Sequence, residues 1–456
     1  MTESDIKIPE DFFIRMKGSL QRAFPDFLKS LKETSPISIR LNQHKNFSNE
    51  GEPVPWCETG RYLKTRPTFT LDPAFHAGAY YVQEASSMFL EQAIKQLDLD
   101  KKPIRILDLC AAPGGKSTHL AGLLHEDSLL VSNEVIRTRA SILDENLTKW
   151  GVGNIVVTNN DPRDFENLPG FFDVIVVDAP CSGEGLFRKD HGAMTEWSVN
   201  NVQLCAKRQQ RIVSDVWPAL KSDGILIYST CTYNALENEE NMQWLADQHS
   251  LESVALKLDS RWGIEDVKHK NIIGYRFYPH HVMGEGFFLS VVQKRESTEP
   301  FFINRKVAPT SPSKKIQEQL SHWILDPDQF AFHQHQDLIS LFSKSLVTDH
   351  LFLYQKLRII NSGTAVASVK GDKLIPEHAL ALSTRINREY FQTAKLNQAD
   401  ALNFLRKVNI HLTGYNRGHL LVTHQNLPLG WLNVLDNRSN NLYPKAWRIR
   451  MGNSPV

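Results

Sequence analysis

Two cysteines sit where chemistry is possible, Cys181 in the stretch DAPCSGEGLFRKD and Cys231 in YSTCTYNALENEEN. Each follows an apolar run and enters a small or polar turn, so both thiols leave the same edge of a sheet if those runs are neighbouring parallel strands. A thiolate there is a nucleophile for covalent catalysis. One reaction that calls for such a thiolate is alkylation at carbon 5 of a cytosine, a poor nucleophile until a thiolate adds at carbon 6. The hydrogen on carbon 5 must then be removed and the thiolate expelled. A free thiol titrates near 8.5, so the nucleophile needs help, and the helix expected over 236–247 just beyond Cys231 offers its N-terminus. For one cysteine at a strand end, a buried structural role is the better reading. A pair beside a ligand pocket reverses that.

Asp178, three residues before Cys181, ends the fourth apolar run and is placed to hold the ring nitrogen and exocyclic amine of a cytosine. Of the other thiols, Cys110 and Cys205 fall in apolar strand and helical contexts and read as structural, and Cys57 has no readable role. Five cysteines without a C-x-x-C pair suggest neither zinc nor redox work, and no metal is expected.

A second chemical feature is IRILDLCAAPGGKSTHLAGLL, which reads as a buried strand, a tight turn of small residues and an amphipathic helix. Gly114 and Gly115 let backbone approach a ligand at the first crossover, where nucleotide-like ligands lie in open α/β sheets. Glu134, near the end of the second run, is placed to accept from ribose hydroxyls. Asp161, read as ending the third, is placed to take an adenine amino group. Any one of these acids can equally be a helix cap; four strand ends in register are harder to dismiss. GGKST also resembles the end of a P-loop, but the glycine required five positions before Gly115 is Cys110, and Pro113 removes an N–H from the phosphate cradle. Lys116, opening the helix, reads either as electrostatic assistance or as a solvated first-turn residue.

These residues need strands to carry them. Between 104 and 294 short apolar runs alternate with amphipathic segments, the pattern of parallel strands covered by helices on both faces. Strands are expected over 104–110, 129–135, 155–161, 173–179 and 224–230. Two more, over 272–278 and 286–294, lack a long helix between them and should form a terminal antiparallel hairpin. The expected domains are residues 1–100, a methyltransferase-like 101–296, a Pro/Ser/Lys-rich linker 297–314, and two C-terminal pieces, 315–383 and 384–456.

The net charge of +1 is unevenly spread: −2 over residues 1–100, −6 over 101–300 and +9 over 301–456. A basic module joined to an acidic one points to a polyanionic partner, with a solvated basic face as the alternative. The N-terminus has no secretory pattern and no run is long enough for a membrane span, so a cytoplasmic, non-membrane protein is expected.

The motifs CAAPGGK (110–116), DAPCSGEG (178–185), STCT (229–232) with the following NEEN, PISIRLN (36–42) and GAYYVQEASS (78–87) resemble the Sun-type RNA cytosine-5 methyltransferases, and the resemblance spans residues 30–295. It implies a Rossmann-like class I α/β domain that uses S-adenosylmethionine, flanked by an N-terminal α+β RNA-recognition region. It makes Cys231 the nucleophile and Cys181 the residue that assists product release. Cofactor contacts then fall on Cys110, Ala111, Ala112, Pro113, Gly114, Gly115 and Lys116, with Glu134, Asp161 and Asp178. GEGLFRKD and PHHVMGEGFF resemble the bacterial branch acting on small-subunit ribosomal RNA. LPLGW and NLYPKAWRIR are similar to that branch's PUA-like α+β RNA-binding appendage. The expected partner is therefore ribosomal RNA or a ribosomal particle, met by a monomer. A transfer-RNA substrate, or a non-catalytic ribosome-assembly factor, is the alternative.

Overall fold

The computed structural model describes residues 8–299, 301 and 310–452. Its centre is a ten-stranded sheet built on the apolar runs seen in the sequence. Leu129–Asn133 and Ile155–Thr158 are buried at every position, as expected of parallel strands covered on both faces. Side chains alternate between two cores. Ile106, Leu130, Val157, Val174, Val176 and Ile227 point into one. Leu107, Leu129, Val131, Val156, Ile175 and Val177 point into the other, the period of two that a strand imposes.

Arg105–Asp108 lies between Leu129–Asn133 and Phe172–Asp178; Ile155–Thr158 follows on the first side and Leu220–Thr230 on the second, all parallel. The strand order reverses on either side of Arg105–Asp108, which is the switch point where α/β sheets bind ligands. Phe287–Lys294 inserts antiparallel between Leu220–Thr230 and Ile272–Phe277, so the expected terminal hairpin is present. Glu265–His269 extends it outward.

The strands are shorter at their functional ends than the apolar runs suggest. The first stops at Asp108, so Cys110 stands in the turn, half-buried, and not in a strand. The third stops at Thr158, and Asp161 lies three residues beyond it as the cap of a 3-10 helix, Pro162–Asn167. The helix expected over 236–247 begins later, at Glu239, after a 3-10 turn over Ala235–Glu237.

The N-terminal region holds two helices, Glu10–Leu20 and Phe24–Ser30, and an antiparallel sheet ordered Glu52–Val54, Cys57–Leu63, Ile37–Leu41, Tyr80–Val82. Phe12 and Phe27 pack the helices on Phe187, Trp197, Tyr233 and Tyr278 of the central domain. Two further four-stranded sheets follow: one from Phe330–His335 to Lys373–Pro376, the other from Thr393–Lys395 to Ser439–Asn441.

The C-terminal pieces are not independent beads. Ile359–Ser362, within the stretch 315–383, pairs antiparallel with Ile155–Thr158 as the edge of the central sheet. Leu421 and Trp431 of the last piece share a core with Leu320, Trp323 and Val366. Ile39, Ala77 and Tyr80 of the N-terminal region share another with Phe404, Leu420 and Tyr443. Much of the expected linker, residues 300 and 302–309, lies outside the described residues. Among the described residues no helix is long and apolar enough to cross a membrane.

Candidate active site

The turn between Asp108 and the helix Gly115–Leu123 is held through its own backbone atoms. Ala111 N donates to Asn133 O at 2.8 Å, Arg139 Nη2 to Ala112 O at 2.7 Å, and Asn146 Nδ2 to Pro113 O at 2.8 Å. Gly114 caps the helix at φ +117°, a conformation open to glycine and strained for other residues. At Gly115 a Cβ would stand 3.5 Å from the Tyr81 ring, filling space in the cavity beside the turn.

Lys116 is not the solvated residue of one reading. Its ammonium is buried, lies 2.7 Å from Asp178 Oδ2 and sits 5.1 Å above the Phe287 ring. Asp178 also accepts from Ser229 Oγ at 2.7 Å, which aims its carboxylate toward the strand that carries Cys231. Below them Asp108 is fully buried. Its Oδ2 accepts from Ser117 Oγ at 2.6 Å, its Oδ1 has no partner, and burial pushes its carboxyl up to about 7.

Glu134 is buried past its strand end. Its Oε1 accepts from Ile136 N at 2.9 Å, and its Oε2 pairs at 3.2 Å with Arg139, the residue that grips Ala112. Asp161 accepts from Arg163 N at 3.2 Å in a capping box with Asp164, so it does the cap's work as well as lying near the sheet edge.

Phe172–Asp178 and Leu220–Thr230 are neighbours, with Asp178 opposite Ser229 in register, so the two cysteines do converge. Cys181 Sγ and Cys231 Sγ lie 2.9 Å apart as free thiols in hydrogen-bonding contact. The bond to Cys231, followed by burial, pushes the Cys181 thiol well above its ordinary range.

Cys110, Ala111, Ala112, Pro113, Gly115, Lys116, Asp178 and Cys231 line one cavity of about 320 Å³, within the range of small-molecule sites. Residues that sequence reasoning assigned no role complete its wall: Tyr81, Gln83 and Glu84 from the N-terminal region and Glu285 from the hairpin. Glu285 is buried, accepts from Arg188 Nε at 3.0 Å and bonds Ser35 Oγ. Its own N donates to Glu84 Oε1 at 2.8 Å. The signal for these residues was present in GAYYVQEASS and in the twice-used GEG string, but only as resemblance, because nothing local ties residue 84 to residue 285.

Arg40 locks the N-terminal wall to the turn. Its buried guanidinium donates to Gln83 Oε1 at 2.7 Å and to Thr118 Oγ1 at 2.6 Å, and stacks 4.5 Å above Trp150. Beside it, Cys57, Glu91 and His119 form the one group of potential metal ligands among the described residues. Here Glu91 engages both of the others, and His119 Nδ1 alone is buried without a partner. Glu91 Oε2 accepts from the Cys57 thiol at 3.0 Å and pairs with His119 Nε2 at 3.0 Å, while Oε1 meets Lys95 Nζ at 2.9 Å and Glu58 N at 3.0 Å. Burial raises the Cys57 thiol to about 12 and lowers His119 to about 4, so the knot is stable as a neutral thiol and imidazole around one carboxylate.

Three family models match the chain: 16S rRNA methyltransferase RsmB/F over residues 95–293, the N-terminal domain of 16S rRNA methyltransferase RsmF over 8–85, and the methyltransferase RsmF PUA domain over 391–449. The chain is 30% identical to the ribosomal RNA small subunit methyltransferase F of Aliivibrio fischeri over 98% of its own length and 99% of the relative's. It is 29% identical to that of an Enterobacter species over 98% and 97%. A methyltransferase homolog protein from Pyrococcus horikoshii superposes with TM-score 0.54 at 27% identity, covering 63% of this chain and 96% of that one. NSun6 from the same organism, solved with SFG, shares the fold at TM-score 0.54 and 19% identity, over 63% and 99%.

Proposed function

Because the chain belongs to the ribosomal RNA small subunit methyltransferase F family, we propose that it transfers a methyl group to carbon 5 of a cytosine in small-subunit ribosomal RNA, with Cys231 as nucleophile. The observation that carries the reading is the pair of thiols 2.9 Å apart, with Cys231 opening onto the cavity that also holds the glycine turn, Lys116 and Asp178.

The residues that would hold S-adenosylmethionine are the turn Cys110–Lys116 with Glu134, Asp161 and Asp178, and when bound it supplies the methyl group. Two features support the fit: the cavity of about 320 Å³ that the glycine turn lines and the unpartnered buried oxygen of Asp108. Asp178, oriented by Lys116 and Ser229, presents a carboxylate to the amine edge of cytosine. The Cys231 thiolate forms a bond to carbon 6, and the electrons of the 5,6 double bond move into the ring so that carbon 5 becomes nucleophilic. After carbon 5 is methylated its proton passes to a general base, for which the Cys181 sulfur beside Cys231 is the group at hand. The electrons of that C–H bond restore the double bond, and the Cys231 sulfur departs with the pair from the C–S bond. Cys181, touching Cys231, serves this release. Attack above the ring face requires an unstacked base. The basic C-terminal third supports RNA as the partner, because phosphate contacts supply affinity without reading sequence.

Bisulfite mapping of ribosomal and transfer RNA from cells with and without the protein tests the reading. Loss of a 5-methylcytosine from small-subunit RNA alone is expected, and loss only from transfer RNA would reassign the substrate. Purified Cys231→Ala should transfer no methyl group while still binding the cofactor. Cys181→Ala should leave a protein–RNA adduct that survives a denaturing gel.

A further inference from the structure

Glu237 and Asn238 are consecutive in the chain, and each grips the turn of a different cysteine. Glu237 is fully buried just after Cys231, yet its carboxylate reaches across to the Cys181 turn. Oε2 accepts from Ser182 N at 2.9 Å and Oε1 from Ser182 Oγ. Gln209, also fully buried, donates through Nε2 to Glu237 Oε2 at 3.2 Å and to Pro180 O at 3.0 Å. The residues on both sides of Cys181 are thereby fixed. Asn238 does the same for Cys231. Thr230 Oγ1 donates to Asn238 Oδ1 at 2.5 Å, and Asn238 Nδ2 donates to Thr232 O at 3.0 Å. The two grips are joined directly by Ser182 Oγ and Thr232 Oγ1, 3.1 Å apart. Tyr228 OH donates to Glu237 O at 2.6 Å, pinning the dipeptide to the strand that delivers Cys231.

None of this is generic support. A turn needs its backbone groups satisfied, but water or a local cap does that for most turns. Here three buried side chains from two separate elements hold the flanking residues of both cysteines and leave the two thiols facing each other. We infer that Glu237 and Asn238 are positioning residues that set the distance between the thiols, Glu237 through the Cys181 turn and Asn238 through the Cys231 turn. The inference rests on the roles proposed above for the two cysteines. It divides them: Glu237 acts on release of the methylated base, and Asn238 on formation of the Cys231 bond to carbon 6.

The test is a single-turnover reaction of the full-length protein with substrate RNA and S-adenosylmethionine, followed on denaturing gels, with cofactor affinity and melting temperature measured alongside. Glu237→Ala should form adduct at the wild-type rate and release it more than about tenfold slower. Glu237→Gln, which keeps an oxygen for Ser182, should recover most of the release rate, and Ser182→Ala should show a smaller version of the same defect. Asn238→Ala should form adduct more than about tenfold slower with cofactor affinity unchanged. Should Glu237→Ala fail to fold, Ser182→Ala decides; should Asn238→Ala fail, Thr230→Val, which removes the hydroxyl that bonds Asn238, takes its place and should likewise slow adduct formation. The inference is overturned if Cys181→Ala traps adduct but Glu237→Ala and Ser182→Ala release it normally, or if Glu237→Ala and Asn238→Ala slow both steps alike. If Cys181→Ala traps nothing, or Cys231→Ala still forms adduct, the reading of the cysteines fails first and the inference with it.

Discussion

At the scale of single residues the site is governed by burial of charge. Asp108 lies at the foot of the glycine turn with its carboxyl raised to about 7 by burial, helped by the nearby carboxylates of Asp178 and Glu134 and opposed by Ser117 and Lys116. In the unfolded chain the same group titrates at about 3.9, so between those values the folded protein holds a proton that the unfolded chain has released. Stability from this group is therefore present below about pH 4 and is lost as the pH rises toward 7, by about 1.4 kcal/mol per pH unit. Asp108→Asn keeps an acceptor for Ser117 and does not titrate. Its stability relative to wild type should rise between pH 5 and pH 8 in urea titrations, and a difference independent of pH would show that Asp108 is ionised throughout. The identity of such residues was legible in the sequence. Their state was not, because desolvation depends on what covers a group and not on its neighbours in the chain.

At the scale of elements the glycine turn is only as rigid as what it leans on. The strand Ile37–Leu41 places Arg40 against the helix Gly115–Leu123, and its guanidinium ties the N-terminal sheet to that helix where no backbone ladder does. Arg40→Ala would leave Gln83 and Thr118 short of a partner and open a gap above Trp150. A loss of about 2 to 4 kcal/mol is expected in urea denaturation. Cofactor affinity should fall with it, since Gln83 and Gly115 line the same cavity. Apolar runs announced the five parallel strands and the hairpin but not the edge strands Glu265–His269 and Ile359–Ser362, and the ends of the first three strands were overrun by two or three residues. The reason is visible at Cys110 and Asp161: apolar or polar character continues through a turn, whereas pairing stops where the backbone leaves the sheet plane. The late start of the helix at Glu239 has a similar cause, because Glu237 and Asn238 are held by side chains and not by the helix.

At the scale of the whole molecule the ends close on each other. The last sheet packs on both the N-terminal region and the preceding C-terminal piece, so removing residues 391–449 would uncover two shared cores. That truncation reports on folding more than on RNA affinity. Charge changes are the cleaner probe: Lys445, Arg448 and Arg450 are exposed near the C-terminal end. Replacing Arg448 and Arg450 with Gln should weaken RNA binding and reduce the salt dependence by about one counterion for each phosphate no longer neutralised, with melting temperature unchanged. An unaltered salt slope would place the RNA on another face.

By itself the sequence determined the sheet that must exist, the loop able to cradle a ligand, and the two cysteines worth following, because strand period, glycine and thiol chemistry are local properties. Tertiary structure decided which of these meet. It brought the thiols to 2.9 Å, buried Lys116 against Asp178, walled the cavity with Tyr81, Gln83, Glu84 and Glu285, and threaded Ile359–Ser362 into the central sheet. Those outcomes depend on contacts between residues tens to hundreds of positions apart, and no local pattern in the chain records them.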